Sequence, residues 1–380
     1  MEGSGEVVEA LTRWHKQEDV MTETSRTFSG KVFDFFKENN LKTLGISAYK
    51  EKKYVDFGEF CAYSQPKLML NGGIGFHLSQ FLYGLRILAT VTRFRPKYLH
   101  ITNNATHWFM LAPLKFFGVK IFPHFHNTFW AKGYPPIGRI KRTLLKLDAW
   151  FLKNIASVAI CCSPEIARQI QEITNNKSCP THVFKAQFYA SSFESSVPPP
   201  HAHKPFVVVF AGRIERNKGV FDILTMAEKL RHEHIVFHVC GGGPALDDLV
   251  SACKQQNLSD IVRIHGRLNR PDLLKIYQQG HVVIVPTRSD FCEGLPMVGI
   301  ESILLGRPLI TSSLSNALDV LGATIIEAEP ESIESYVQAI RRLALEKSLY
   351  QQTSEACLPI RTQFLDGKQG LTNVLQHTLI

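Results

Sequence analysis

Arg213 and Lys218 lie in the segment Gly212-Arg213-Ile214-Glu215-Arg216-Asn217-Lys218-Gly219, directly after the β-branched run 206–211 (FVVVFA). Glycines at both ends let the backbone turn tightly and approach a ligand. A guanidinium and an ammonium at a strand's carboxyl end suit a diphosphate, the first as a planar fork and the second as a point charge. An ordinary connecting loop with solvated charges accounts for this segment equally well. A second group follows the run 281–286 (HVVIVP), where Glu293-Gly294-Leu295-Pro296 precedes Glu301. Pro296 suits the first turn of a helix that continues to Gly306 as its C-terminal cap. Glu293 then sits in the loop before the helix and Glu301 about five residues inside it, ~7.5 Å along the axis. Amides open at the helix start hold phosphates, while the two carboxylates reach hydroxyls at opposite ends of an extended ligand. Read structurally, Glu293 is a charge that favours the helix dipole; that leaves a carboxylate within an apolar helix unexplained. Between these groups, Gly241-Gly242-Gly243-Pro244 closes the run 235–240 (IVFHVC) with a turn whose amides can face an anion or a nucleotide. Alone, that turn is a weak signal.

These residues need elements to place them. In the second half, short apolar runs at 206–211, 235–240, 261–265, 281–286, 308–311 and 324–327 alternate with helical patterns such as 220–230 and 271–279. Such alternation predicts a parallel sheet covered on both faces. The first half reads likewise, with strands expected at 42–48, 97–102, 119–124 and 157–162. Composition breaks at 191–205 (SSFESSVPPPHAHKP), where three consecutive prolines continue neither a helix nor a central strand. The expected organisation is an N-terminal doubly wound α/β domain over 1–190, a linker over 191–205, a C-terminal doubly wound domain over 206–360, and a helix within 361–380 that crosses back to the first domain. Sheets of this kind bind ligands at the carboxyl ends of their strands, so the site is expected in a cleft between the domains. Gly3-Ser4-Gly5 reads as a glycine turn opening a helix, yet no strand precedes it: either the sequence starts downstream of the protein's true beginning, or the first domain lacks its usual first strand.

A chain of 380 residues, 44% hydrophobic and 20% charged, can bury two cores and is not a disordered one. No apolar run reaches the ~18–20 residues that span a bilayer, and the first residues lack the basic-then-apolar secretory pattern. The eight cysteines form no CxxC pair and read as reduced core thiols, which points to the cytoplasm. The net charge of +9 is uneven: residues 1–195 carry 25 Lys+Arg against 15 Asp+Glu, and residues 196–380 carry 18 against 19. Between Glu59 and Asp148 there is no acidic residue, while aromatics are frequent. A solvated positive face over an aromatic core is the plain account. The further expectation is contact with an anionic membrane surface, where each cation contributes ~1 kcal/mol. With no zinc-finger or RNP-type pattern, no nucleic-acid partner is expected.

The succession strand–GRxxxxKG–helix, strand–GGGP, strand–HGR, strand–loop–EGLPxxxxE–helix–GxP resembles glycosyltransferase family 4, the glycosyl transferases group 1, over residues 206–345. The resemblance implies a GT-B fold, two Rossmann-like domains facing a cleft, and a retaining enzyme. By it, Arg213 and Lys218 hold the donor's diphosphate, Glu293 contacts the donor sugar and Glu301 the nucleotide ribose. Backbone at Gly294, Leu295 and Pro296 meets sugar and phosphate, Gly242 and Gly243 belong to the donor side, and Arg267 of the HGR segment lies beside the base. Gly3, Ser4 and Gly5 match the glycine loop across the cleft. His126 matches a strand-end histidine beside the transferred sugar, with His124 as the alternative. Cys162-Ser163-Pro164-Glu165 resembles a strand-end Ser-Glu of mostly structural role, and residues 71–75 (NGGIG) read as loop-to-helix punctuation near the acceptor side.

What this implies is transfer of a sugar from a nucleotide-sugar donor to a saccharide or lipid-linked acceptor, without metal or cofactor, in bacterial surface-polysaccharide assembly at the inner face of the cell membrane. Two other readings stand beside it. A nucleotide-sugar epimerase of the same shape would release its product without an acceptor. A catalytically degenerate protein of this shape would bind a partner and turn nothing over; the complete set of Arg, Lys and two Glu speaks against it, and the unpreceded glycine turn speaks for it.

Overall fold

The computed structural model describes residues 1–3, 5–18, 27–68, 70, 72–103, 105–193 and 197–379. In the first half the strands are β1 (Thr43–Ala48), β2 (Lys53–Asp56), β3 (Phe60–Gln65), β4 (Tyr98–Thr102), β5 (Lys120–Phe125), β6 (Ala159–Cys161) and β7 (Thr181–Val183). They pair in the orders β1-β3-β2 and β4-β5-β6-β7, parallel throughout except for β2 against β3. The slot between β1 and β4, where the sequence shows no strand, is filled by residues 1–3. Glu2 bridges both Ile46 and Ile101 in parallel, and its amide donates to the His100 carbonyl at 2.8 Å. Its buried carboxylate accepts from the Thr102 hydroxyl at 3.1 Å, and burial raises its pKa to about 7.

Helices cover both faces of this sheet. On one lie α1 (Val7–His15), α2 (Phe28–Glu38) and the C-terminal helix Leu371–Leu379; Leu11, Phe33, Phe35 and Leu375 close that core with no solvent exposure. On the other lie α3 (Gly72–Phe94), a 3-10 helix (Trp108–Phe117), α4 (Arg139–Asn154) and α5 (Pro164–Thr174), packed through Ile87, Leu111, Phe151 and Ile166. The apolar run from Trp108 holds Pro113 and so tightens into a 3-10 coil, which Gly118 ends at φ 74°.

The second half is one six-stranded parallel sheet of β8 (Phe206–Ala211), β9 (Ile235–Cys240), β10 (Val262–Gly266), β11 (Val282–Val285), β12 (Leu309–Thr311) and β13 (Ile325–Glu327). Its order is β10-β9-β8-β11-β12-β13, so the chain reverses direction across the sheet between β8 and β11. At such a switch point two adjacent loops leave in opposite directions and open a crevice. The helices that flank it are α6 (Val220–Lys229), α7 (Leu246–Gln255), α8 (Arg270–Gln279) and α9 (Met297–Leu304). β8 and β9 fall where their apolar runs lie, and the other expected strands shift by one or two residues at their ends. β2, β3 and β7 were not expected: β2 alternates half-buried with exposed side chains, and β7 has three residues, too few for a periodic signal.

The proline-rich segment lies against the second half. Arg307 is fully buried and donates to the carbonyls of Val197, Gln278 and Gly280, while the Tyr350 hydroxyl donates to Pro199 at 2.8 Å. After Arg361 the chain returns to the first half, where Asn39 reaches Gln376 and the Lys185 amide donates to the Gln369 carbonyl.

Candidate active site

At the switch point, the loop after β8 carries Arg213 and Lys218, and the loop after β11 carries Glu293. Gly219 is held at φ 71°, and a Cβ there would stand 2.0 Å from the Pro286 carbonyl oxygen. Only glycine lets the two loops approach this closely. Lys218 Nζ consequently reaches Glu293 Oε2 at 2.6 Å, and the Thr287 hydroxyl donates to the same oxygen at 3.0 Å. The Glu293 carboxylate is buried, and Lys218 Nζ also lies 3.8 Å above the Phe291 ring. The Arg213 guanidinium sits over that ring at 5.6 Å and pairs with Glu215 at 2.9 Å, with its side chain 62% exposed. Two cations therefore flank one aromatic ring, one fixed by a buried carboxylate and the other open to a ligand.

Pro296 is the N-cap of α9 rather than its first helical residue; the helix runs from Met297 to Leu304, and Gly306 follows at φ 76°. No side chain caps its start, which leaves the partial positive charge of its first amides without a side-chain acceptor. Glu301, the fifth residue of α9, is buried and accepts from the Tyr277 hydroxyl of α8 at 2.7 Å. Burial beside this carboxylate holds the Tyr277 hydroxyl well above its ordinary pKa, so it remains a donor. The glycines after β9 have a backbone reason of their own. A Cβ on Gly243 would lie 2.4 Å from the Ile214 carbonyl oxygen, and the Ile214 amide donates to Gly242 at 3.0 Å. Gly242 in turn faces the Cβ of Arg267, whose side chain is exposed.

Across the crevice, His124 and His126 separate cleanly. His124 lies within β5, is fully buried, and has its Nε2 2.9 Å from His100 Nδ1; it faces the core and not the crevice. His126 follows the strand end. Its carbonyl oxygen lies 1.9 Å from where a Gly294 Cβ would stand, and its amide donates to Asn103 Oδ1 at 3.0 Å. Its ring turns edge-on to Phe28 at 4.7 Å and Phe184 at 6.1 Å, and burial lowers its pKa to about 4. The Glu293 carbonyl accepts from the Thr128 hydroxyl at 3.2 Å and also from the Asn316 side-chain amide. Burial, with the Glu293 charge added, pushes the Cys162 thiol up to about 12. Thus the carboxyl edges of the two sheets meet at His126, Cys162, Glu293 and Gly294. Gly3 and Gly5 follow the Glu2 bridge at the same edge of the first sheet, and the open space around Gly5, at φ 97°, asks for a glycine on backbone grounds. Ser4 and Asn71 lie outside the described residues.

Beside this junction a cavity of about 560 Å³ extends into the first half. Aromatic side chains of Trp108, Phe129 and Trp130 line it together with His107, Lys141 and Asp148, and Ser289, Asp290 and Cys292 close it from the second half. Burial raises the Asp148 carboxyl to about 7. Tyr277, Thr287, Thr128, Asn316 and Phe291 were not singled out from the sequence. Each is an ordinary helix or loop residue until the fold sets it against a carboxylate, a carbonyl or a cation; only Phe291, two residues before Glu293, had a neighbour to mark it.

Residues 192–357 match the family model "Glycosyl transferases group 1". Glycogen synthase of Mycobacterium tuberculosis is 22% identical over 300 residues, 77% of this chain and 71% of that protein. Among solved structures, sucrose-phosphate synthase from Thermosynechococcus elongatus superposes with a TM-score of 0.72 at 15% identity, covering 95% of this chain and 94% of that one. Anabaena HepE in complex with UDP superposes at 0.68 with 14% identity, over 92% and 94% of the two chains. With two Rossmann-like domains facing a cleft and superpositions of this kind over more than nine-tenths of its length, the chain has the GT-B fold, and its second domain is similar to the glycosyl transferases group 1.

Proposed function

We propose that the protein transfers a sugar from a nucleotide-sugar to a hydroxyl of a saccharide or lipid-linked acceptor, with retention of configuration at the transferred carbon. The observation that carries this reading is the Lys218–Glu293 pair at 2.6 Å, set at the sheet's switch point with Arg213 over the same Phe291 ring. The donor's diphosphate lies against Arg213, Lys218 and the open amides of α9. Glu293 takes hydroxyls of the sugar, and Glu301, oriented by Tyr277, takes those of the ribose. As the bond from the sugar's anomeric carbon to the diphosphate breaks, its electron pair passes to the phosphate oxygen. Fixed positive charge where this anion develops is the largest stabilisation available. The acceptor oxygen then bonds the same face of the carbon, and its proton passes to the departing diphosphate. Two cations and a helix start supply the electrostatic stabilisation in this scheme, so it calls on no metal.

The aromatic cavity containing Asp148 suits the acceptor: flat apolar walls with a few polar groups are how pockets hold a sugar-sized ligand. The basic first half fits an acceptor displayed in surface-polysaccharide assembly on the cytoplasmic face of a membrane. Solved relatives bound to UDP support a nucleotide donor. A thermal-shift panel of UDP-, GDP- and ADP-sugars tests the reading. One base class should raise the melting midpoint with concentration, as a ligand bound only by the folded state must; a flat panel overturns it.

A further inference from the structure

α3, the 3-10 helix and α4 share one core against the first sheet, so their outer faces point the same way. Those outer faces carry large exposed apolar side chains. On α3 the side chains of Ile74, Leu78, Phe81 and Leu85 recur at helical spacing and are 43–87% exposed. The opposite face of the same helix buries Tyr83, Ile87 and Val91, so α3 is apolar on both sides although only one is covered. α4 repeats the pattern with Ile140, Leu147 and Trp150 exposed, and Phe116 at the end of the 3-10 helix is 94% exposed. Lys115 beside it donates to the Asn154 carbonyl, which joins that end to the end of α4. Soluble proteins rarely leave contiguous apolar area of this kind uncovered.

Charge identifies what covers it. Arg139, Lys141, Arg142, Lys146 and Lys153 project from α4 among the exposed apolar residues, and its one acidic residue, Asp148, turns into the interdomain cavity. No helix among the described residues is long and apolar enough to cross a membrane. Apolar stripes on short helices, rimmed by cations, lie in the plane of an anionic bilayer surface. A second copy of the chain would set this basic face against itself, like charge to like charge. The cavity wall is made partly by Phe76 of α3 and Lys141, Leu144 and Asp148 of α4, so its opening adjoins the same face.

The geometry points to the α3–3-10–α4 face as the docking surface for an anionic lipid bilayer, holding the cavity against the membrane so that an acceptor enters it with its lipid tail still in the bilayer. Docking stands on the surface alone; the acceptor's entry rests on the transfer reading. The test uses the full chain with phosphatidylcholine vesicles, with and without phosphatidylglycerol. At low salt the protein should float with the anionic vesicles and not with the neutral ones, and salt should release it. Brominated acyl chains should quench its fluorescence, and Trp150→Phe should remove most of that quenching. Phe116→Glu with Ile140→Glu, both at exposed positions, should weaken vesicle binding at least about tenfold while leaving the sugar-nucleotide thermal shift unchanged. No flotation with anionic vesicles, or flotation that survives this double variant, overturns the proposal. So does a dimer in solution that the same two substitutions dissociate, which would assign the face to a second copy. Flotation without any sugar-nucleotide shift would leave docking standing and remove the transfer reading instead.

Discussion

The carbonyl oxygen of His126 occupies space 1.9 Å from where a side chain on Gly294 would begin, and this close approach sets the loop of the second domain against the strand end of the first. It also fixes the backbone beside Glu293, whose carbonyl is held by Thr128 from across the junction. The fit of the two domain edges thus depends on a missing side chain.

Gly294→Ala should therefore separate the two edges without unfolding either core. A displacement of about 1 Å at reacting groups costs on the order of 10²-fold in rate. Steady-state kinetics should show kcat falling by that order with the circular dichroism unchanged; turnover like that of the parent would show that the contact has no role in alignment.

Lys218→Ala and Glu293→Gln probe the pair itself. On the proposed transfer reaction, removing Lys218 deprives the leaving diphosphate of a cation and should lower kcat about 10²–10³-fold. It also strands a buried carboxylate, at a cost of about 3–5 kcal/mol for breaking such a pair. Glu293→Gln avoids that charge and should lose transfer with a smaller drop in melting midpoint. Equal loss of stability in both variants would mean the pair is held by packing and not by charge.

Tyr277→Phe removes the hydroxyl that orients Glu301 and leaves the ring in place. The loss should appear in donor KM, about fivefold to tenfold from one hydrogen bond to a charged group, with acceptor KM and kcat nearly unchanged. A change confined to kcat would place Glu301 at the reacting centre instead of on the nucleotide.

Burial keeps His100, His124 and His126 neutral, lowering His100 to about 3 and His126 to about 4. With folded values depressed, the unfolded chain takes up protons first. Their stability is complete above the ordinary histidine value near 6.5 and is lost as pH falls through the folded values, at about 1.4 kcal/mol per unit for each group. The melting midpoint should fall between about pH 6.5 and about pH 4, and His126→Phe should flatten part of that slope. A variant with the parent's slope would show that His126 is already protonated in the fold.

Much of the architecture was legible because it is local. FVVVFA and IVFHVC have the length and branching of buried parallel strands, and both form where they lie. The turn at Gly219 and the helix opening at Pro296 follow from backbone chemistry that a few residues carry by themselves. Of the strands that escaped notice, β2 and β7 are short and lie at sheet edges, where side-chain periodicity is weakest, whereas nothing in the structure explains why β3, a six-residue central strand, was missed.

The sequence by itself determined the chemical types available at each strand end: two cations, two acids, and glycines where the chain must turn. Tertiary structure alone decided which of them meet. Lys218 and Glu293 are 75 residues apart, and Tyr277 and Glu301 are 24 apart. Only the reversal of strand order between β8 and β11 brings Lys218 to Glu293. The difference between His124 and His126 belongs to the fold as well: both rings pack against Phe28, but one residue past the end of β5 the His126 carbonyl meets Gly294 of the opposite domain. Glu2 is the same case: nothing in residues 1–3 announces a place in the sheet, and Glu2 bridges β1 and β4 because they leave a slot whose amides and carbonyls must be paired.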